Sequence, residues 1–229
     1  MEKIFFYHLG FSFLIGIFSH ICFLYLWLKS FNLGYDDSFG IQKLHSNKAL
    51  RIGLIPIIIG ILISERLIYS FDTWYIIKIL VIFPILLVGL FEDFTKNLSI
   101  KLRLIITFIF TTIFILSHDI SLSNIDIPYM SFLFENYYFS LIFTILGVII
   151  CINSVNFIDG VNGLASGFAV ISFITISILS DYADLDNLQH ISVLISGVLL
   201  SFWIINISTG KIFLGDGGSY FIGIVLSWC

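Results

Sequence analysis

Residues 153–167, NSVNFIDGVNGLASG, form a polar interruption between two long apolar runs. The interruption combines asparagines and glycines with Asp159, and an ionised carboxylate at bilayer depth costs about 2.5–3.5 kcal/mol. It is therefore predicted to lie at a membrane surface or to line a wet cavity. Because Asp159-Gly160 and Asn162-Gly163 are turn-forming dipeptides, a tight polar hairpin without chemistry is the alternative.

Two further acidic motifs interrupt the apolar chain. Glu92-Asp93 is an acidic pair followed by Lys96 and Lys101, and Asp216 lies in the sequence FLGDGGS. Taken singly, the pair is explained as a solvated helix cap and Asp216 as a turn or helix N-cap. Taken together, carboxylates on separate loops suit Mg²⁺, which takes one or two carboxylates plus substrate phosphates and waters.

Positive charge and glycine accompany these carboxylates. The polar segment 29–51 contains His45, Lys48 and Arg51, and glycines beside Asp159 and Asp216 allow backbone N–H groups to approach phosphate oxygens. For His45 the alternative is an ordinary interfacial histidine. A metal, an anionic substrate and a membrane interface together predict phosphoryl transfer to a lipid phosphate.

Composition identifies the elements that must position these loops. The 229 residues are 59% hydrophobic and 11% charged, with a mean hydropathy of +1.06, which predicts an integral membrane protein. The apolar runs lack strand-like alternation, so they predict an all-α polytopic membrane helix bundle. The three cysteines fall in or beside apolar runs and indicate neither a disulfide framework nor a metal-ligand spacing. Nothing in the sequence points to nucleic acid.

About seven complete spans plus a partial eighth are predicted from the apolar runs. The complete spans are residues 4–28, 52–63, 74–91, 102–116, 137–152, 164–179 and 191–207. Pro84 is predicted to kink or break the third of them. Residues 220–229 give only about 15 Å of helix against roughly 30 Å of hydrocarbon, hence the partial eighth span.

The basic residues predict the orientation in the membrane. Eight of the eleven lysines and arginines fall on the side of the 153–163 loop: Lys29, Lys43, Lys48, Arg51, Lys96, Lys101, Arg103 and Lys211. The positive-inside rule then places the motif-bearing loops in the cytoplasm and the N-terminus outside. Transporters more often carry ionisable groups near mid-membrane, whereas these helix interiors are nearly free of charge, so a small transporter is disfavoured.

Four motifs, in order and over essentially the whole chain, resemble those of one family. They are QKLHSNKALRIG (42–53), the acidic pair in GLFEDFTKNLSIKLRL (89–104), NxxNxxDGxxGL (153–164) and FxGDxGS (213–219). They look like the loops of the polyprenyl-phosphate N-acetylhexosamine-1-phosphate transferases. That membrane superfamily, glycosyltransferase family 4, also contains phospho-N-acetylmuramoyl-pentapeptide translocase.

The resemblance implies transfer of a sugar-1-phosphate from a UDP-N-acetylhexosamine to undecaprenyl phosphate, with release of UMP. It implies a Mg²⁺-dependent enzyme, with Mn²⁺ as an alternative ion, embedded in the bilayer of the bacterial inner membrane. The step would be the first membrane step of O-antigen (lipopolysaccharide) or other cell-envelope glycan synthesis. The oligomeric state is left open, a homodimer included.

The resemblance also implies roles for individual residues. It implies catalytic roles for Glu92, Asp93, Asp159 and Asp216, and metal binding by Asp216 and Asp159. It implies substrate binding by His45, Arg51, Lys101, Asn153, Asn156, Asn162, Gly215 and Ser219.

The sequence departs from the family in three respects. Glu92 stands where many members have aspartate, and Asn162 stands where many have a second acid, as in a bacterial branch that initiates O-antigen or related glycans. The family also continues for roughly another third beyond this chain. The expectation is therefore one transmembrane transferase domain, residues 1–229, that lacks the family's C-terminal third and is a fragment, a truncated gene product or a pseudogene product. An inactive truncated homologue that binds lipid-linked sugars or partners is the alternative function.

Overall fold

The computed structural model describes residues 2–30, 34–36, 49–68, 73–123 and 131–229. His45 lies outside these residues. The described chain is all-α apart from two-residue strands. Its helices are α1 (Glu2–Ser30), α2 (Leu54–Ile68), α3 (Thr73–Thr95), α4 (Ile100–His118), α5 (Ser131–Phe134), α6 (Tyr137–Ile158), α7 (Leu164–Tyr182), α8 (Asp186–Thr209) and α9 (Gly215–Trp228).

The apolar runs form helices, as their composition predicts. Within the described part of the chain, five helices are long and apolar enough to cross a membrane: α1, α4, α6, α7 and α8. Each helix satisfies its backbone hydrogen-bonding groups internally, which is the condition for crossing lipid as a single segment. The all-α membrane fold class is confirmed, while the number of about seven complete spans stays a prediction.

The end of α6, the start of α9 and the interior of α3 differ from the sequence prediction in ways that affect the motifs or the helix path. Helix α6 continues past residue 152 to Ile158, because the Asn153 side chain donates to the Ile149 carbonyl of its own helix and is satisfied there. Helix α9 already begins at Gly215, within the segment predicted as loop. Helix α3 runs through Pro84 without a break.

Helices α8 and α9 form the centre of the bundle. Helix α8 packs against α1, α2 and α7, whereas α9 packs against α2, α3, α6 and α7. Every residue of α9 from Gly215 to Val225 is buried. By contrast, α1, α4, α6 and α7 turn large apolar side chains outward, such as Phe18, Ile105 and Ile142, as expected for a face in contact with lipid.

A short backbone ladder places residues 49–53 next to the start of α9. Strand β1 (Tyr35–Asp36) pairs antiparallel with β2 (Ala49–Leu50), and Leu50 forms a parallel bridge with Ile212. The Leu50 N–H donates to the Lys211 carbonyl at 2.8 Å, and the Phe213 N–H donates back to the Leu50 carbonyl at 2.7 Å. These bonds place residue 51 beside the N-terminus of α9.

Candidate functional site

Three aspartates from distant parts of the sequence meet at the N-terminus of α9. The Asp93 carboxylate accepts hydrogen bonds from the backbone N–H groups of Asp216 and Gly217 at 2.8 and 2.9 Å. The Asp159 carboxylate accepts from the Gly215 N–H at 2.9 Å. The first N–H groups of a helix have no partner within the helix and carry partial positive charge, so they stabilise these carboxylates.

Two arginines bind the third aspartate. Arg51 Nη2 donates to Asp216 Oδ1 at 2.9 Å, and Arg103 Nη1 donates to Asp216 Oδ2. Arg51 Nε also lies 4.0 Å from Asp93 Oδ1. We call these five residues, Asp93, Asp159, Asp216, Arg51 and Arg103, the α9 acidic site. Asp93, Arg103 and Asp216 lie near helix ends, Asp159 directly follows α6 and Arg51 precedes α2, so the site is at one end of the bundle.

Burial raises the pKa of two of the carboxyl groups. Asp93 lies beyond the apolar run 74–91, and its burial raises its pKa to about 8. The N–H bonds from α9 and the charge of Arg51 oppose that shift, whereas the Asp216 charge adds to it. Asp159 is partly exposed as a residue, but its carboxylate is enclosed, and burial raises its pKa to about 7. Both groups can thus hold a proton near neutral pH.

Glycine is required where α9 enters the site. Gly215 has φ of +73°, a conformation that L side chains rarely adopt. A Cβ atom there would lie 1.9 Å from the Arg51 carbonyl oxygen and 2.6 Å from Asp93 Oδ2. Gly89 of α3 has a similar function, because its Cβ would lie 2.6 Å from the Cα of Gly217. Small residues therefore let α3 and the 49–53 segment approach the start of α9.

The predicted polar substrate-binding residues are distributed along the same end of the bundle. Asn156 Nδ2 donates to Ser219 Oγ at 3.0 Å, and Ser219 is buried and donates to the Gly215 carbonyl at 2.8 Å. Asn156 and Ser219 thus join α6 to the first turn of α9. Asn153 bonds within its own helix, one turn earlier. Asn162 is exposed in the loop after α6 and faces Gly210, whose added Cβ would lie 2.9 Å from Asn162 Nδ2.

Two of the predicted residues turn away from this cluster. Glu92 Oε2 accepts from the Leu98 N–H at 2.8 Å and so organises the turn between α3 and α4. Lys101 lies in the first turn of α4 with its side chain exposed. The structure therefore brings Asp93, rather than Glu92, to the α9 acidic site.

Arg103 belongs to the α9 acidic site, and Asn206 joins two loops next to it, although the sequence prediction gave neither residue a role there. Arg103 lies two residues after Lys101 and was counted only among the basic residues of its face. Asn206 is buried in apolar α8; its Oδ1 accepts from the Gly163 N–H at 2.5 Å and its Nδ2 donates to the Ile212 carbonyl at 2.6 Å. A lone amide in an apolar span was the available signal, since such groups are costly unless paired.

The carboxylate oxygens of the site are ligands of the type that a hard divalent cation binds. Among the described residues, no three His, Cys, Asp or Glu side chains are arranged as ligands of one ion. Mg²⁺ nevertheless needs only one or two carboxylates when substrate phosphates and waters complete its shell, and Asp216 with Asp159 could supply these. Each Asp216 oxygen already accepts a hydrogen bond from an arginine, so a cation there would share the carboxylate with a guanidinium or displace one.

These features define a helical membrane protein with a cluster of charged side chains at one end of its helix bundle. The profile of Glycosyl transferase family 4 matches residues 75–229, and the chain belongs to this family. The four sequence motifs therefore pointed to the correct superfamily.

Several bacterial phosphosugar transferases are similar to this chain. It is 28% identical over 196 residues to a probable undecaprenyl-phosphate N-acetylglucosaminyl 1-phosphate transferase of Bacillus subtilis strain 168, covering 85% of this chain and 54% of that protein. It is 30% identical over 182 residues to a phospho-N-acetylmuramoyl-pentapeptide-transferase of Streptococcus agalactiae serotype Ia, covering 76% and 54%. The corresponding Listeria welshimeri transferase is 28% identical over 199 residues, covering 79% and 60%. The chain thus spans little more than half the length of these relatives.

Proposed function

We propose that this chain carries the catalytic loops of a polyprenyl-phosphate phosphosugar transferase of cell-envelope synthesis. The reaction transfers a sugar-1-phosphate from a UDP-N-acetylhexosamine to undecaprenyl phosphate and releases UMP. Membership of the family and the activities named for the relatives support the reaction class. The observation that carries the proposal is the convergence of Asp93, Asp159 and Asp216 with two arginines at one helix N-terminus.

The reaction needs charge neutralisation more than a strong base. The second pKa of a phosphate monoester is about 6, so the lipid phosphate is mostly a dianion at neutral pH. Its oxygen attacks the phosphorus that bears the sugar, a new P–O bond forms, and the bond to the bridging oxygen breaks as UMP leaves. The difficulty is to hold two polyanions together, and positive groups at the reacting oxygens lower that barrier.

The residues of the α9 acidic site supply the required positive and negative groups. Mg²⁺, or Mn²⁺, held by Asp216 with Asp159 would neutralise charge on the diphosphate. Arg51 and Arg103 bind phosphate oxygens, and the buried Arg103 Nε has no hydrogen-bond partner among the described residues, so it has a donor left for one. Asp93, with Glu92 nearby in the chain, orients the lipid phosphate or accepts its residual proton, to which its raised pKa is suited.

The nucleotide sugar binds on the side of α6 in this proposal. Asn153, Asn156 and Asn162 offer amide groups to it, and Gly215 and Ser219 belong to the first turns of α9, beside which the diphosphate would bind. The exposed Lys101 adds positive charge at this end of the bundle, and His45, outside the described residues, stays a candidate substrate-binding residue. The loops face the cytoplasm of a bacterial inner membrane with the N-terminus outside, as the distribution of lysine and arginine favours, and the pathway is O-antigen or a related glycan.

Loss of carboxylates tests the proposal. Membranes that contain the chain within a full-length relative's framework are incubated with radiolabelled UDP-N-acetylhexosamine, and label in the lipid fraction is counted. Asp216→Asn and Asp93→Asn are expected to abolish Mg²⁺-dependent incorporation at normal expression. Asp184→Asn is the matched control, because Asp184 is exposed in the loop between α7 and α8 and lies outside the α9 acidic site. Turnover like that of the wild type in Asp216→Asn contradicts the assignment.

A second candidate is a chain that binds lipid-linked sugars or partners without catalysis. The pairing of both Asp216 oxygens with arginines favours it, since the carboxylate is then already neutralised. The incorporation assay and a binding measurement separate the two functions: retention of a labelled lipid-linked sugar by the chain, with no label passing from the UDP-sugar into lipid, supports the second candidate.

A further inference from the structure

Tyr220 of α9 places a hydroxyl group in the apolar core beside the α9 acidic site. Among the tyrosines whose burial the structure describes, Tyr220 alone is buried, whereas the other five are exposed. Its ring belongs to an apolar cluster with side chains of α3, α4 and α6, among them Ile85, Phe114 and Ile152. Phenylalanine would fill the same space without a polar group to satisfy, so the buried hydroxyl needs a partner.

That partner is Arg103, the arginine that reaches the site from α4. Arg103 hydrogen-bonds the Tyr220 hydroxyl, which is the acceptor because a guanidinium has only donors. Arg103 Nη1 also donates to Asp216 Oδ2. Asp216 and Tyr220 are four residues apart in α9 and therefore lie on one face of that helix. The guanidinium is thus attached to α9 at two points, one helical turn apart.

Two points of attachment fix the direction of the remaining donors of Arg103. A guanidinium held only by Asp216 can pivot about one hydrogen bond, whereas a second bond one turn away sets the plane of the group. Arg103 Nε is buried and has no hydrogen-bond partner within the described part of the chain. Because a buried donor without a partner is costly, this N–H group is suited to receive an anionic oxygen of a ligand.

We propose that Tyr220 is a positioning residue: its hydroxyl holds the Arg103 guanidinium so that the Nε–H group is directed at a phosphate oxygen of a substrate. The inference rests on the proposed function, because that function brings two phosphate-bearing substrates to the α9 acidic site. A donor that is held in place before the ligand arrives lowers the entropy cost of binding, since the arginine side chain has several rotatable bonds to order. Tyr220 acts on the phosphate through Arg103 and does not contact it.

The first test measures how firmly Arg103 is held in the purified 229-residue chain in detergent, without any ligand. Arginines are modified with p-hydroxyphenylglyoxal, and the modified peptides are quantified by mass spectrometry with the exposed Arg66 as the internal reference. Tyr220→Phe keeps the ring and is expected to raise the reactivity of Arg103 about fivefold, the factor that one typical hydrogen bond represents. Tyr182→Phe, at an exposed tyrosine, is the matched control and should change nothing.

The reactivity of Arg51 separates a local effect from a general loosening of the site. Arg51 reaches the other Asp216 oxygen from the 49–53 segment, so its reactivity should be the same in Tyr220→Phe and in the wild type. Unchanged reactivity of Arg103 in Tyr220→Phe overturns the proposal. An equal rise for Arg51 and Arg103 also overturns it, because the variant then opens the whole site.

The second test asks whether the held donor serves a phosphate and which substrate carries that phosphate. Isothermal titration calorimetry on the same chain measures the binding of UMP and of dimethylallyl phosphate, a soluble five-carbon prenyl phosphate. Tyr220→Phe should weaken the binding of one or both about fivefold, and the affected compound identifies the substrate whose phosphate Arg103 receives. In an Arg103→Lys background, Tyr220→Phe should cause no further loss, since the two residues act as one unit.

The outcomes of the binding test distinguish this inference from the proposed function. If the wild type binds a phosphate and Tyr220→Phe binds both compounds equally well, the inference is overturned and the proposed function stands. A further loss from Tyr220→Phe in the Arg103→Lys background also overturns the inference, because the hydroxyl then acts independently of Arg103. If the wild type binds neither phosphate, both the inference and the proposed function are overturned.

Discussion

Replacement of Gly215 by alanine should open the α9 acidic site. The residue has φ of +73°, and an added Cβ would lie 1.9 Å from the Arg51 carbonyl oxygen and 2.6 and 2.7 Å from the Asp93 carboxylate oxygens. None of these atoms is the far end of a flexible surface side chain. The substitution therefore forces the 49–53 segment, α3 and α9 apart at the point where they meet.

The cost follows from the conformation and from the hydrogen bonds that the movement breaks. The left-handed conformation costs alanine about 1–2 kcal/mol. Restoring an ordinary contact with the Arg51 carbonyl needs a shift of roughly 1.5 Å, which is enough to break the 2.8–2.9 Å bonds from the α9 N–H groups to Asp93 and Asp159. Above about pH 8, where Asp93 and Asp159 are both ionised, each bond to a charged group contributes about 1.5–3 kcal/mol. The free energy of unfolding should fall by at least about 3 kcal/mol, or roughly 6–12 °C in Tm.

Thermal unfolding of the purified chain in detergent, followed by circular dichroism, measures this effect. Gly147→Ala is the matched control: Gly147 lies inside α6 and an added Cβ has nothing within 4 Å. Alanine is favoured over glycine in a helix by about 1 kcal/mol, so the control should raise Tm by roughly 2–4 °C. If Gly215→Ala has the same Tm as the wild type, the close contact of Gly215 with Arg51 and Asp93 does not stabilise the site.

Two further predictions concern ionisation and the link between the signature loops. Without metal, the chain should lose stability as pH rises from about 4 to about 8: folded Asp93 keeps its proton to a pKa of about 8 and folded Asp159 to a pKa of about 7, whereas both release it near 3.8 when unfolded. Tm at several pH values tests this, and a Tm that does not change with pH would contradict the raised pKa values of Asp93 and Asp159. Added Mg²⁺ should raise Tm more at pH 8 than at pH 5.5, because metal ligands must be deprotonated. Asn206→Asp keeps the acceptor for the Gly163 N–H but turns a second acceptor toward the Ile212 carbonyl, so it should cost about 1–3 kcal/mol in thermal unfolding. Unchanged stability would show that Asn206 does not join the two loops.

The helical architecture followed from the sequence because lipid leaves few alternatives. A long apolar run must satisfy its backbone internally, so α1, α4, α7 and α8 were predicted with small errors at their ends. The end of α6 was predicted too early, since polarity alone did not show that Asn153 bonds to its own helix. The start of α9 was predicted too late, since glycine and aspartate read equally well as a turn or as the first turn of a helix.

The acidic residues of the site could be predicted from the sequence, but the cationic residues that bind them could not. Asp93, Asp159 and Asp216 stood out because a carboxylate in an apolar chain is costly unless it is paired or functional. Which cation meets which acid depends on where the helix ends come together, and that is why Arg103 was missed and Lys101 was preferred. The same applies to Glu92, whose side chain bonds to the following turn.

By itself, the sequence determined that this protein is a helical membrane protein of its superfamily, because apolar length and motif order are properties of the chain alone. Only the tertiary structure decided that the first turn of α9 is the meeting point, with N–H groups for two carboxylates and two arginines on the third. Electrostatic interactions weaken with distance, and distances between remote segments are fixed by packing rather than by spacing along the chain.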